Sequence, residues 1–292
     1  MRNFNKYAIL GMVVSIMFIL AGSILALNAC TRHNAMDEPN PDPNHPNNGN
    51  NGNTEQPSYS DSHYEGLEKV ILTSDLAEQI KEYTGFIVSF NKDNHTPNYV
   101  AWELLGSEVS KDIDRTDNFW QDSEIAGCPA HSDYTGSGYD RGHMCPAADQ
   151  KWSIDAMNDC FVMANMCPQI HDLNAGAWET LENKEREWAK RDSAIMIIAG
   201  PIYTAEDTKR MSRNVPVRIP GAFFKVLFAP YVENPRAIAF VYPNMKAPGN
   251  MQDYAMSVDD LEKDLGYDFF SSLPDELENK IEATYSFTEW NR

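Results

Sequence analysis

The chain is short of positive charge. Lys and Arg together number 24 against 43 Asp and Glu, and the formal net charge is −19. Domains that hold nucleic acid by bulk electrostatics are basic, so the chain as a whole is not of that kind. A small cationic site on an acidic body is still allowed, and such a site also lets its product go. There is no internal repeat, so the chain is not an array of stacked units. Cysteine is scarce, with five residues in 292. Cys30 ends the N-terminal apolar run, and Cys128, Cys145, Cys160 and Cys167 fall within 40 residues of one another. Cys160-x6-Cys167-x3-His171 lacks the short paired spacing usual at zinc. In an exported chain the expectation is two disulfides among the four, with three pairings open. Against these shortages stand 42% hydrophobic and 11% aromatic residues, enough for a real core. The length suits one large domain or two small ones.

The N-terminus reads as an export signal. Arg2 and Lys6 precede an almost wholly apolar run from Tyr7 to Leu27, and Leu27-Asn28-Ala29-Cys30 follows. The order positive, apolar, small is that of a secretory signal. The tetrapeptide resembles the bacterial lipobox, although Asn28 is unusual there. The resemblance implies cleavage before Cys30 and its lipidation, which fixes the chain to a membrane without a spanning helix. The alternative is an uncleaved signal anchor, since about 20 apolar residues can span a bilayer. Either way the bulk of the chain is exported. The following stretch is rich in Asn, Pro, Gly and Asp and cannot bury a core, so it reads as a disordered tether. His33, His45 and His63, scattered in or beside it, read as linker residues. The expected organisation is signal 1–29, tether 30–63 and folded domain 64–292.

In the folded part, Gly85 to Phe90 and Tyr99 to Leu105 read as partner strands around a polar turn. Ser107 to Thr135 is polar and loop-like, anchored by Phe119 and Trp120. Ser153 to Asp159 suits a helical turn or two, and Phe161-Val162-Met163 a short strand. Trp178, Leu181, Glu185 and Trp188 recur at helical spacing within Asn174 to Arg191. Ala194 to Ala199 reads as a buried strand ended by Gly200-Pro201, with further strands at Ala222 to Phe228 and Arg236 to Tyr242. Ser257 looks like an N-cap, and Pro274 sits in the first turn of a last helix. Strands occur both as hairpins and separated by helices, which favours an α+β fold.

One stretch fits none of these patterns. Asp140-Arg141-Gly142-His143 is a poor core strand and a poor helix interior, because three polar groups and a glycine would be buried together. Such a run is a turn or a site. Free imidazole has a pKa of about 6.5, so His143 suits a general base near neutrality. If the segment is extended, Arg141 and His143 share a face and Asp140 points to the other. A cation beside the imidazole keeps it neutral, and a guanidinium suits a phosphate. Asn174 offers a neutral oxygen to a hard cation such as Mg²⁺, and it also stands where a helix N-cap would stand. Glu182, eight residues later, is about 12 Å along a helix and about 80° around it. It reaches the same ion only by turning back or through water.

These residues resemble a family signature. Asp140-Arg141-Gly142-His143 with Pro146-Ala147-Ala148-Asp149, then Asn165-x-x-Pro168-Gln169, then Leu173-Asn174-x-Gly176-x-Trp178-x-x-Leu181-Glu182, is similar to the DNA/RNA non-specific endonucleases. These are the ββα-metal nucleases. Ala199 to Tyr203, Ile219 to Val226 and Val241 to Asn244 resemble the family's later strands. The resemblance runs in order from about Gly85 to Glu282. It implies a central antiparallel sheet flanked by helices, with a ββα-metal motif.

The resemblance also implies roles. His143 matches the base that activates water. Asn174 matches the protein ligand of a hydrated Mg²⁺, with Mn²⁺ or another divalent cation as alternatives. Glu182 matches an acid acting through water. Arg141 and Arg115 match arginines at the phosphate, Lys225 is added as a substrate contact, and Asp140 and Asn165 as support. Phe161 departs from the pattern, since a family member can carry Asn there, and Cys145 and Cys167 stand where cysteine is uncommon. A local positive groove is expected from Arg115, Arg141, Lys151, Lys184 and Lys225. The function implied is Mg²⁺-dependent hydrolysis of DNA and RNA to 5′-phosphate ends by an exported, membrane-anchored lipoprotein. The alternative is a cell-surface nucleic-acid-binding lipoprotein that no longer cleaves.

Overall fold

The described part of the computed structural model comprises residues 65–72, 76–211 and 214–292, all within one compact unit, Pro57–Arg292. The signal, Cys30, the tether and His33, His45 and His63 lie outside the described residues. In chain order the elements are β1 (Ile71–Leu72), β2 (Gln79–Tyr83), β3 (Phe86–Asn91), β4 (Thr96–Leu105), β5 (Asp140–His143), α1 (Ile154–Asp159), β6 (Met166–Gln169) and α2 (Glu179–Asp192). They continue with β7 (Ala194–Ile202), β8 (Ala222–Ala229), β9 (Arg236–Pro243), β10 (Ala255–Met256), α3 (Val258–Leu265), β11 (Tyr267–Asp268), α4 (Asp275–Glu282) and α5 (Phe287–Trp290).

Strand alternation builds two cores, one on each face of a single sheet. On β8, Phe223 and Leu227 join one buried cluster, and Phe224, Val226 and Phe228 join the other. Ile195 and Ile197 of β7 oppose Met196 and Ile198 in the same way. Successive side chains of a strand point to opposite faces, so such runs are buried twice over. The seven strands lie in the order β10-β9-β8-β7-β4-β3-β2, and every neighbouring pair is antiparallel. The fold is α+β with a large central antiparallel sheet, as expected. The Trp178, Leu181 and Trp188 face of the α2 segment covers one core, together with Met144, Cys145 and Phe161. Val258 and Leu261 of α3 and Ile281 of α4 cover the other. The site described below therefore belongs to the first layer, and the C-terminal helices to the second.

Several local expectations shift. The strand placed at Phe161-Val162-Met163 begins at Met166 instead, after a short 3₁₀ turn at Met163–Asn165. β7 does not stop before Gly200-Pro201 but runs through to Ile202, because β8 pairs with it as far as Ile202↔Ala222. Gly200 allows this close packing, since a Cβ there would collide with the Asn98 carbonyl and the Phe224 ring. Ser153 and Ser257 cap their helices, the Ser257 hydroxyl accepting from the Asp260 amide. No helix of the described residues is long and apolar enough to cross a membrane.

Candidate active site

The polar run is a strand after all. β5 pairs antiparallel with β6, with Asp140 opposite Gln169 and His143 opposite Met166. Only Gly142 of the four residues is fully buried, and Asp140 is paired, while Arg141 Nε and His143 Nε2 are left buried without partners. Gly142 is required by a close approach, because a Cβ there would collide with the Gln169 side chain. Asn165 locks the end of the pair. Its side chain accepts from the Cys145 amide at 2.9 Å and donates to the Cys145 and Cys160 carbonyls at 2.9 and 2.8 Å. All three hydrogen bonds are buried, which gives Asn165 a supporting place in the site.

His143 sits among rings. Phe119 lies 5.8 Å from it and Phe161 5.1 Å, the latter edge-on. Its Nε2 is buried and has no hydrogen-bond partner. Burial, and secondarily the charge of Arg115, lower its pKa to about 3, against opposing contributions from Asp117 and a hydrogen bond to the Arg141 backbone. The imidazole is therefore neutral and unpaired at Nε2, and the same burial makes it a weaker base than free imidazole in this structure.

The neighbouring cation is not the one expected. Arg115 acts on His143 most strongly, with its guanidinium over the Phe161 ring at 4.8 Å and its Nε on Asp117 at 2.6 Å. Arg141 lies over Phe119 at 5.4 Å and donates to the His131 carbonyl and the Thr135 hydroxyl at 3.1 and 3.2 Å. Phe119 is thus the ring shared by Arg141 and His143, and Phe161 the ring shared by Arg115 and His143. Phe161, the departure from the family pattern, is the wall on which the imidazole rests.

Asp140 joins the two halves of the site. Its Oδ2 accepts from Asn174 Nδ2 at 2.9 Å and contacts His171 Nδ1 at 2.8 Å. The side chain that was expected to turn away therefore holds Asn174. Asn174 is not an N-cap: its own amide already donates to the Ile170 carbonyl at 3.0 Å. It lies in a kinked turn, Leu173–Trp178, that leads into α2, where Gly176 departs from helical backbone (φ −128°, ψ −110°). An amide whose nitrogen is committed to a carboxylate presents its oxygen as the remaining acceptor. A neutral carbonyl-type oxygen oriented by a carboxylate fits a hard divalent cation held mainly through water.

Glu182 lies deeper than expected. Burial pushes its pKa up to about 8, with Glu185 and Asp149 adding to the rise and Lys225 and Arg186 opposing it. Lys225 requires a correction. It is fully buried, donates to Glu185 at 2.7 Å, lies 3.9 Å from Glu182, and sits over the Trp178 ring at 4.7 Å. The alternation of β8 turns it under α2, so it meets carboxylates and not a substrate. Arg186, one turn after Glu182, pairs with buried Asp149 at 2.7 Å. Sequence reasoning missed Arg186, although its i+4 spacing from Glu182 was visible. Lys151 and Lys184 are already paired at the surface, with Asp112 and Glu187.

The expected disulfides are absent among the described residues: Cys128, Cys145, Cys160 and Cys167 are free and buried. Burial raises the pKa of all four thiols, and they pack as small apolar groups. His171 is exposed, and Cys160, Cys167 and His171 form no ligand cluster among the described residues.

The chain matches the model of the DNA/RNA non-specific endonuclease family over residues 63–276. It is 34% identical over 211 residues to a nuclease of Nostoc sp., covering 68% of this chain and 75% of that protein. It is 34% identical over 213 residues to the mitochondrial nuclease EXOG of Mus musculus, covering 67% of this chain and 58% of the other. For the mitochondrial nuclease 1 of Schizosaccharomyces pombe the identity is 31% over 210 residues, with 65% of each chain covered. The match thus spans less than two thirds of the mouse and fission-yeast relatives. The solved complex of EndoG with EndoGI, described as showing the mechanism of EndoG inhibition, is similar at a TM-score of 0.64 and 25% identity. That similarity covers 69% of this chain and 89% of the other.

Proposed function

The chain belongs to the DNA/RNA non-specific endonuclease family, and from that premise we propose that it hydrolyses phosphodiester bonds in DNA and RNA, with Mg²⁺ and leaving 5′-phosphate ends. The observation that carries the reading is the hydrogen bond from Asn174 to Asp140. It ties the candidate metal-binding amide to the strand whose other end bears His143.

The division of labour follows from the chemistry of each group. His143 Nε2 takes the proton of the attacking water. Arg141 and Arg115 meet the phosphate through their guanidinium forks. Asn174 Oδ1 is the group that would hold the cation, and Asp140 keeps it turned outward. A bound Mg²⁺ would supply positive charge against the developing charge of the phosphate and the leaving 3′ oxygen. Glu182 would orient water there. Contacts made to phosphate and sugar carry little base information, so low sequence specificity is expected.

The chain is also read as exported and held to a membrane through lipidated Cys30. Cells fed labelled palmitate should label the wild-type chain and not Cys30→Ala, and an unlabelled wild type removes the lipid anchor.

The activity is tested with purified chain on plasmid DNA and on RNA, with Mg²⁺ and with added chelator. The reading requires cleavage of both polymers, loss on chelation, and fragments whose 5′ ends are labelled by kinase only after phosphatase treatment. Retained binding without cleavage would replace the enzyme by a binding lipoprotein.

A further inference from the structure

The second layer contains a group of ionisable side chains that the nuclease site does not use. Asp259 and Glu262, one turn apart on α3, and Glu282, the last residue of α4, bring one carboxylate oxygen each to within 4.8 Å of one another. They are exposed, half-buried and buried in that order. Among the described residues this is the one group of three or more His, Cys, Asp and Glu so arranged. Lys263 and Lys280 are the only side-chain cations between residues 259 and 282, and neither is within ion-pair distance of the three acids.

A second observation points to a ligand. Glu282 is 96% removed from solvent, being 4% exposed, and its Oε1 is buried with no hydrogen-bond partner. A carboxylate oxygen is among the most costly groups to leave so. The charges that act on it are all of its own sign, from Glu262, Glu278, Asp259 and Asp268. By contrast, Glu185 and Asp149 in the first layer each have a cation, Lys225 and Arg186. Glu262 has one backbone donor, the Phe269 amide at 2.6 Å on its Oε1, which fixes its side chain and leaves its other oxygen for a ligand.

We propose that Asp259, Glu262 and Glu282 form a structural site for a hard divalent cation of the Ca²⁺ class, joining α3 to α4 on the face of the sheet opposite the nuclease site. Three carboxylates on two helices, one of them exposed, leave room for water to complete the shell. That set suits Ca²⁺, which accepts six to eight oxygens in loose geometry. Mg²⁺ more often takes one or two carboxylates and keeps its waters. The site is anchored at its buried end, where Ile281 packs with Val258 and Leu261 in the same apolar cluster. Its occupant would therefore stiffen the C-terminal helices without touching the chemistry.

The test is Ca²⁺ binding by the full chain, measured by calorimetry, beside its melting temperature with Ca²⁺ or with chelator. Four proteins are compared: wild type, Glu282→Gln, Asp259→Asn and Asn174→Ala. Wild type and Asn174→Ala are both expected to melt higher with Ca²⁺ and to share the binding that depends on Glu282, whatever Asn174 adds in wild type. Glu282→Gln should lose this binding, and Asp259→Asn should weaken it at least tenfold. With chelator, Glu282→Gln should melt no lower than wild type, because the substitution removes like-charge repulsion. Unchanged Ca²⁺ binding in Glu282→Gln would overturn the proposal, as would loss of all binding in Asn174→Ala. A Glu282→Gln chain that fails to fold is covered by Asp259→Asn, where undiminished binding would overturn it equally.

Discussion

Burial and the Arg115 guanidinium hold the His143 imidazole down to about 3, so the ring stays neutral well below the usual range near 6.5. The linkage has a definite sign. The unfolded chain binds a proton at this position between about pH 6.5 and 3 and the folded chain does not, so the contribution is present above pH 6.5 and is lost as pH falls through that window. NMR of the metal-free chain should find His143 uncharged at pH 5, and a midpoint near 6.5 would refute the described environment. Asp140 acts one bond further out. Asp140→Ala removes the acceptor that orients the Asn174 amide, and loss of such outer partners lowers metal affinity about 10- to 100-fold. The expected result is a matching rise in the Mg²⁺ concentration that gives half-maximal cleavage. His143, Arg141 and Asn174 could be picked out as candidates because they stand in motifs resembling the family's, and the structure brings Asn174 to Asp140 of the same strand as His143. The depth of Lys225 and the free state of the four cysteines could not be read from the chain, since each depends on which face of a strand or core the residue occupies. Arg115 as the neighbour of His143 was equally hidden, because the segment between them folds back through ring contacts that no spacing announces.

The β5–β6 pair and the kinked start of α2 set the geometry, and each depends on side chains that do no chemistry. Asn165 makes three buried hydrogen bonds to backbone, each worth about 1 kcal/mol net. Asn165→Ala should therefore destabilise by about 2–4 kcal/mol in denaturant titration, and a loss within error of zero would remove it from the account. Beneath α2, Lys225→Met would leave Glu185 buried without its cation, a change that costs about 3–5 kcal/mol when such a pair is broken from one side. The same substitution made together with Glu185→Gln should recover most of that loss. Strands β3, β4, β7, β8 and β9 of the sheet were legible because alternation and apolar runs recur along them, whereas the edge strands β2 and β10 were not. β5 was not, because its residues are polar and its pairing with β6 is non-local. The start of β6 shifted because the 3₁₀ turn at Met163–Asn165 places apolar residues without a strand period.

At the scale of the whole molecule, a net charge of −19 opposes a polyanionic substrate, and the exposed cations near the site are few. Lys225 is buried, and Lys151, Lys184 and Arg115 are each paired with an acid at the surface, which leaves the expected groove to Arg141 and to cations that must exchange a carboxylate for a phosphate. Screening first weakens the contacts that a phosphate backbone makes with such a local patch. Cleavage should therefore fall steeply as salt rises, and a flat salt profile would contradict a local cationic groove. We propose that one imidazole, left neutral and unpaired at Nε2 by the fold, takes the proton of the water that attacks the phosphodiester. The most direct test is single-turnover cleavage of a DNA duplex at saturating Mg²⁺ by wild type and His143→Ala. A general base contributes about 10²–10⁴ in rate, so His143→Ala should bind the duplex as wild type does and cut it slower by that factor. An undiminished rate would contradict the account.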